Sequence, residues 1–148
     1  MDILICDDEP LAVERLSRMV TQLGHHVVAT AEHGKQAIDF VQQYEPDVVL
    51  LDIRMPEMDG LTCAQHLTAM NPMPAVVFCT AYDEHALTAI QSQAKGYLLK
   101  PIAQEELENV LESFKSFGKI LSEEMRGACL QGFAVLHHSL DTVGVQCA

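Results

Sequence analysis

The sequence predicts an α/β fold: a three-layer, doubly wound parallel sheet of five strands in the order 2-1-3-4-5, with helices on both faces. Three observations carry that expectation. Five short apolar runs alternate with five stretches of helical period between residues 1 and 117. The central run, Val48-Val49-Leu50-Leu51, is apolar without a break, as a strand covered on both faces must be. Polar residues close four of the runs: Asp7-Asp8, Asp52, Thr80 and Lys100. Parallel strands place all such ends on one edge of the sheet.

Taken in order, Ile3 to Cys6 is the first strand, and Pro10 suits the first turn of the helix after it. Leu11, Val13, Leu16, Met19, Val20 and Leu23 recur at helical spacing up to Gly24. His26 to Thr30 is the second strand, and Glu32-His33-Gly34 opens a helix on Ala37, Ile38 and Val41 that closes before Pro46. The third strand runs into Asp52, where Met55-Pro56 and Asp59-Gly60 force a turn. Leu61, Ala64, Leu67 and Met70 mark a third helix, stopped by Asn71-Pro72. Ala75 to Thr80 is the fourth strand, Glu84 to Ser92 a short helix, Gly96 to Leu99 the fifth strand, and Glu105 to Phe117 the fifth helix. Each crossover is right-handed by the usual chirality rule. The tail, 118–148, has apolar residues without a clean period and is broken by Gly127, Gly132 and Gly144. A helical extension to about Met125 followed by weakly ordered chain is expected there.

Composition bounds the function. Of 148 residues 49% are hydrophobic, enough for a real core, while the net charge of −12 argues against a nucleic-acid surface within the chain. No basic-then-apolar leader follows Met1-Asp2, and no apolar run approaches a membrane span. Five cysteines, widely spaced and without a CxxC, fit reduced thiols in a cytosolic protein, with Cys6 and Cys79 as core filler.

The chemistry lies at the carboxyl edge. In the expected order the first and third strands are neighbours, so Asp7, Asp8 and Asp52 come within a few ångströms. Two carboxylates 4 Å apart repel by about 4 kcal/mol at an effective dielectric of 20. A cation must therefore help, or one group must hold a proton. Carboxylates, a backbone carbonyl and water are the ligands Mg²⁺ takes. Thr80 and Lys100, facing them, would trap a phosphoryl group's oxygens. Asp52 could then attack phosphorus and carry an acyl phosphate.

At this point the residues resemble a known family. DDEP at 7–10, LLDIRMPEMDG at 50–60, Thr80-Ala81 and Lys100-Pro101, in that order at four strand ends, resemble the receiver domain of bacterial two-component response regulators over residues 1–117. DDEPLAVERL, FCTAYDEHAL and GYLLKP are similar to the LytR/AlgR branch, in which a receiver is joined to a LytTR DNA-binding domain. The resemblance implies a flavodoxin-like receiver fold with Asp52 as phosphoacceptor. Asp8 would bind Mg²⁺ directly, Asp7 mainly through water, and Arg54 through its backbone carbonyl. Thr80 would bond one phosphoryl oxygen and Lys100 pair with another, with a cis peptide at Lys100-Pro101. Tyr97 stands at the switch aromatic position, and Thr80 and Tyr97 would move together on phosphorylation. Ala81 is small and would leave the phosphoryl group open to water or an imidazole.

The implied partners are a sensor histidine kinase and a second copy, through the face of the fourth helix, fifth strand and fifth helix. DNA would be reached only through an effector domain not evident here, no membrane is involved, and the location is cytoplasmic. Such a protein catalyses its own phosphorylation and dephosphorylation but is a switch rather than a metabolic enzyme. The alternative is a stand-alone receiver acting by protein contact without DNA binding.

Blander and rival readings exist for each feature. Asp7-Asp8-Glu9 could simply favour a helix N-terminus, Thr80 alone is an ordinary strand residue, and Tyr97 could be a static strand aromatic. The pairs His25-His26 and His137-His138 read as solvated, since adjacent strand residues face opposite ways. A flavodoxin-like electron carrier would need a phosphate-binding first loop, which Asp7-Asp8-Glu9 would repel. A haloacid-dehalogenase-type phosphatase would want a DxD after its first strand, whereas Asp52 follows the third and has Arg54 two residues on. A receiver fold that has lost phosphorylation would not retain all five key residues.

Overall fold

The computed structural model describes residues 1–81 and 96–124, with side chains to residue 115. The helix expected over 84–92 and the tail beyond 124 lie outside the described residues. Two compact units are present, Met1–Ile102 and the chain from Ala103 onward.

In the first unit the strands β1 (Asp2–Cys6), β2 (His26–Ala31), β3 (Val48–Leu51), β4 (Ala75–Thr80) and β5 (Gly96–Leu99) form one parallel sheet in the order β2-β1-β3-β4-β5. The helices α1 (Pro10–Gln22), α2 (Gly34–Tyr44) and α3 (Gly60–Leu67) cross between them. Right-handed crossovers that reverse direction after β2 send α1 to one face and α2 and α3 to the other. The pleat sorts the core the same way. Leu4 and Cys6, Val49 and Leu51, Val76 and Phe78 join Ala37 and Val41 of α2 and Cys63, Ala64 and Leu67 of α3 in one buried cluster. Ile3, Ile5, Val48, Leu50 and Val77 alternate to the other face and are equally buried. Both faces of β3 are thus covered, which is why its sequence shows no polar alternation.

Local chemistry sets the helix ends. Pro10 starts α1, and the carbonyl of Glu9 accepts from Ala12 N–H and Val13 N–H. The Nδ1 of His33 accepts from Gln36 N–H at 3.3 Å and caps α2, so this helix begins at Gly34. Asp59 caps α3, its Oδ1 accepting from Thr62 N–H at 2.9 Å. That helix ends at Leu67, short of the expected Met70, because the chain tightens: Ala69 N–H and Met70 N–H donate to carbonyls three residues back. Leu11, placed with the apolar face by its spacing, is 77% exposed. Five residues of helix separate it from Leu16, a rotation of about 140° away from the buried side.

The second unit contains α4 (Gln104–Glu124), which runs on through Phe117 as the helical extension expected to about Met125. Glu105 and Glu106 in its first turn favour the helix dipole, and Leu107 and Leu111 are fully buried.

Candidate functional site

Three hydrogen bonds one residue beyond the strands build the site. Asp7 N–H donates to Ala31 O at 3.0 Å, Asp52 N–H to Cys6 O at 3.0 Å, and Lys100 N–H to Thr80 O at 2.9 Å. Each extends a parallel ladder past its last strand residue and lands a functional side chain on the carboxyl edge.

The side chains converge. Carboxylate oxygens of Asp7, Asp8 and Asp52 all lie within 4.8 Å of one another. Asp7 is 2% exposed and Asp52 8%, while Asp8 is exposed. The Nζ of Lys100 donates to Asp7 Oδ2 at 2.7 Å and stands 3.6 Å from Asp52 Oδ2. The second oxygen of each buried acid is held by backbone: Glu9 N–H donates to Asp7 Oδ1 at 2.9 Å, and Ile53 N–H to Asp52 Oδ1 at 2.8 Å. These two amides are part of the site and were invisible in the sequence, since every residue type but proline carries one.

The remaining expected residues lie elsewhere along the same strands and loops. Thr80 closes β4 and is 1% exposed. Arg54 is exposed, two residues past Asp52. Tyr97 is half-buried beside Phe78 and packs against the cluster under α2 and α3. The Lys100–Pro101 peptide is cis, as is Asn71–Pro72.

The loop after Asp52 is shaped by close approach. Gly60 N–H donates to Ile53 O at 2.7 Å, and a Cβ on Gly60 would stand 2.7 Å from the Ile53 Cα. Only glycine permits that contact. Met58 N–H reaches Pro56 O at 2.7 Å, with Glu57 between them in the left-handed region at φ 67. The sequence marked a turn here through its Pro and Gly but not which residue would take the strained conformation.

Electrostatics follow from this crowding. Burial pushes the Asp52 carboxyl up from 3.8 to about 6, and the Asp7 charge adds to it; Lys100 and the Ile53 amide oppose the rise. Burial pulls Lys100 down, but its hydrogen bond to Asp7 and the charges of Asp52, Asp7 and Glu9 together leave it raised. Three carboxylates here face one ammonium, an excess of acid that a further cation would offset. Ligands of an octahedral Mg²⁺ stand roughly 2.9 Å apart when adjacent and 4.1 Å when opposite. Oxygens already within 4.8 Å require only a small contraction to reach that geometry. The all-oxygen donor set suits a hard cation rather than a soft one. Beneath it the thiols of Cys6 and Cys63 are pushed up by burial, Cys63 to about 12, which keeps them protonated and outside this chemistry.

A family model described as the response regulator receiver domain matches residues 3–112. The positive alginate biosynthesis regulatory protein of Pseudomonas aeruginosa is 51% identical over 114 residues, covering 76% of this chain and 46% of that protein. The sensory transduction protein LytT of Enterococcus faecalis is 40% identical over 125 residues, 83% of this chain and 52% of that one. The chain thus spans about half the length of the curated relatives it matches. Among solved structures, the response regulatory domain of mrkE from Klebsiella pneumoniae superposes with TM-score 0.71 at 32% identity, over 78% of this chain and 96% of that one. The CheX–CheY complex with BeF3 and Mg²⁺ from Borrelia burgdorferi gives 0.71 at 27%, over 76% and 87%.

Proposed function

We propose, from the premise that the chain belongs to the response regulator receiver domain family and to its LytR/AlgR branch, that Asp52 accepts a phosphoryl group from the phosphohistidine of a sensor kinase. The observation that carries this reading is the meeting of three carboxylates within 4.8 Å, two of them touched by the Lys100 ammonium. The Asp52 oxygen not held by the Ile53 amide attacks phosphorus. The phosphorus–nitrogen bond breaks, its electron pair returns to the imidazole, and an acyl phosphate remains. Lys100 pairs with a phosphoryl oxygen, Thr80 bonds another, and Ile53 N–H keeps the carboxyl oriented. Asp7, Asp8, Asp52 and the Arg54 carbonyl would hold Mg²⁺, which supplies charge neutralisation at the phosphoryl oxygens.

Phosphorylation is read out by Thr80 moving inward and Tyr97 following, a local charge event that biases a two-state surface. The receiver module occupies residues 1–117 and acts as the receiver part of a LytTR-type transcription regulator. A cytoplasmic kinase–receiver pair and phosphorylation-linked homodimers complete the reading. No described helix is long and apolar enough to cross a membrane. The BeF3 and Mg²⁺ in the superposable Borrelia complex support the chemistry assigned to Asp52.

Incubation with acetyl phosphate and Mg²⁺, followed by intact mass and site mapping, tests this. One phosphoryl group should be gained and should vanish in Asp52→Asn. Absence of any gain, or a gain that survives that substitution, removes Asp52 from the role.

A further inference from the structure

Arg15 stands on α1, outside the acidic cluster, yet it grips the segment that carries Lys100. Its Nη2 donates to the Ile102 carbonyl oxygen at 3.3 Å. The segment leaves the sheet abruptly. Lys100 N–H makes its ladder bond to Thr80, and Pro101, which follows, has no N–H to give. The Ile102 side chain is buried at 4% exposure while Pro101 is exposed. Between α1 and this segment lies a groove walled by Leu11, Ala12 and Leu16 on one side and Pro101 and Ile102 on the other. Arg15 bridges it, and Lys100 lies at its edge with the ammonium turned into the cluster.

We propose that Arg15 is a positioning residue for Lys100: by tying α1 to the Ile102 carbonyl, it sets where the chain departs from β5 and so where the ammonium stands relative to Asp52. The proposal rests on the reading of Asp52 as phosphoacceptor and deepens it. A shift of the Lys100 backbone must be taken up by rotations of its four-carbon stem, which carry the ammonium with them. Distances of 2.7 Å to Asp7 and 3.6 Å to Asp52 leave little room for such rotations without trading one acid for the other. Arginine suits the bridge because its apolar stem covers the groove while a donor projects past it to a carbonyl. Arg15 itself is exposed and belongs to no part of the core, so its bond rather than its burial is what a substitution removes.

Fluoroberyllate with Mg²⁺ serves as the phosphoryl analogue. Its binding is titrated for the wild type, Arg15→Met, Arg15→Lys, Lys100→Met and the Arg15→Met/Lys100→Met double variant. Methionine keeps the apolar stem and removes the donors. A long hydrogen bond from a charged donor sits at the weak end of its range, so Arg15→Met should bind about tenfold more weakly. Arg15→Lys, which keeps a donor, should return binding to within about twofold of the wild type. Because Arg15 acts through Lys100, its substitution should add nothing in the Lys100→Met background. Wild-type binding by Arg15→Met overturns the proposal, and so does an equal loss with and without Lys100, which is what a merely structural role would produce. If the wild type itself fails to bind, the phosphoacceptor reading falls. The Arg15 link is then judged by the Lys100 side-chain ¹⁵N resonance: a shift in Arg15→Met supports it and an unmoved signal overturns it.

Discussion

Replacing Asp52 by asparagine should stabilise the metal-free protein, although it destroys the proposed phosphoacceptor. The Asp52 carboxyl titrates near 6 in the fold, against 3.8 for the unperturbed group, because it is buried beside Asp7. Folding therefore costs the ionised group about two pH units, at 1.36 kcal/mol each, and screening through the open edge trims this to about 2 kcal/mol. The sign follows from proton uptake. Between pH 3.8 and 6 the folded state binds the proton and the unfolded state has lost it, so stability from this group falls as pH rises. Above pH 6 the cost is constant, and below 3.8 it is gone. Urea denaturation in EDTA at pH 7.5 should show Asp52→Asn more stable than the wild type by about 2 kcal/mol, the gap closing as pH drops toward 4. Saturating Mg²⁺ should reverse the order, since binding to the native state stabilises only a chain that keeps its ligands. An Asp52→Asn protein equal to or less stable than the wild type in EDTA at pH 7.5 would refute the account of the site as a charge cluster awaiting a cation.

Lys100→Met should strip Asp7 of its ion pair and lower metal-free stability by about 2–3 kcal/mol at pH 7.5, measured by the same denaturation. That loss should fade as pH rises from 10.5 through the raised Lys100 pKa, where the wild type also loses the charge. Calorimetric titration should find Mg²⁺ bound several-fold more tightly by Lys100→Met, the competing ammonium being gone. Gly60→Ala forces a methyl onto the backbone of Ile53 and Asp52, and should cost about 2 kcal/mol or more in urea while lowering acetyl-phosphate labelling. Cys6, Cys63 and Cys79 are buried with raised pKa values, so iodoacetamide at pH 7.5 should leave them unmodified until urea unfolds the chain.

Much of this protein was legible in one dimension, because the signals are local. A strand buried on both faces must be apolar throughout, as Val48–Leu51 is, and a parallel strand must end where its polar residue begins. Crossover handedness and strand order then bring Asp7, Asp8, Asp52 and Lys100 to one edge without further information. What the tertiary structure alone decided are quantities that depend on groups distant in sequence or lacking a side-chain signature. The raised pKa of Asp52 is a sum of burial and neighbouring charge. The Glu9 and Ile53 amides that fix the acids are backbone. Leu11 fits the apolar spacing yet faces outward, because periodicity gives an angle around a helix but not which angle is covered. The bond from Arg15 to Ile102 joins positions 87 residues apart, and no pattern within either segment encodes a contact that exists only once both have packed.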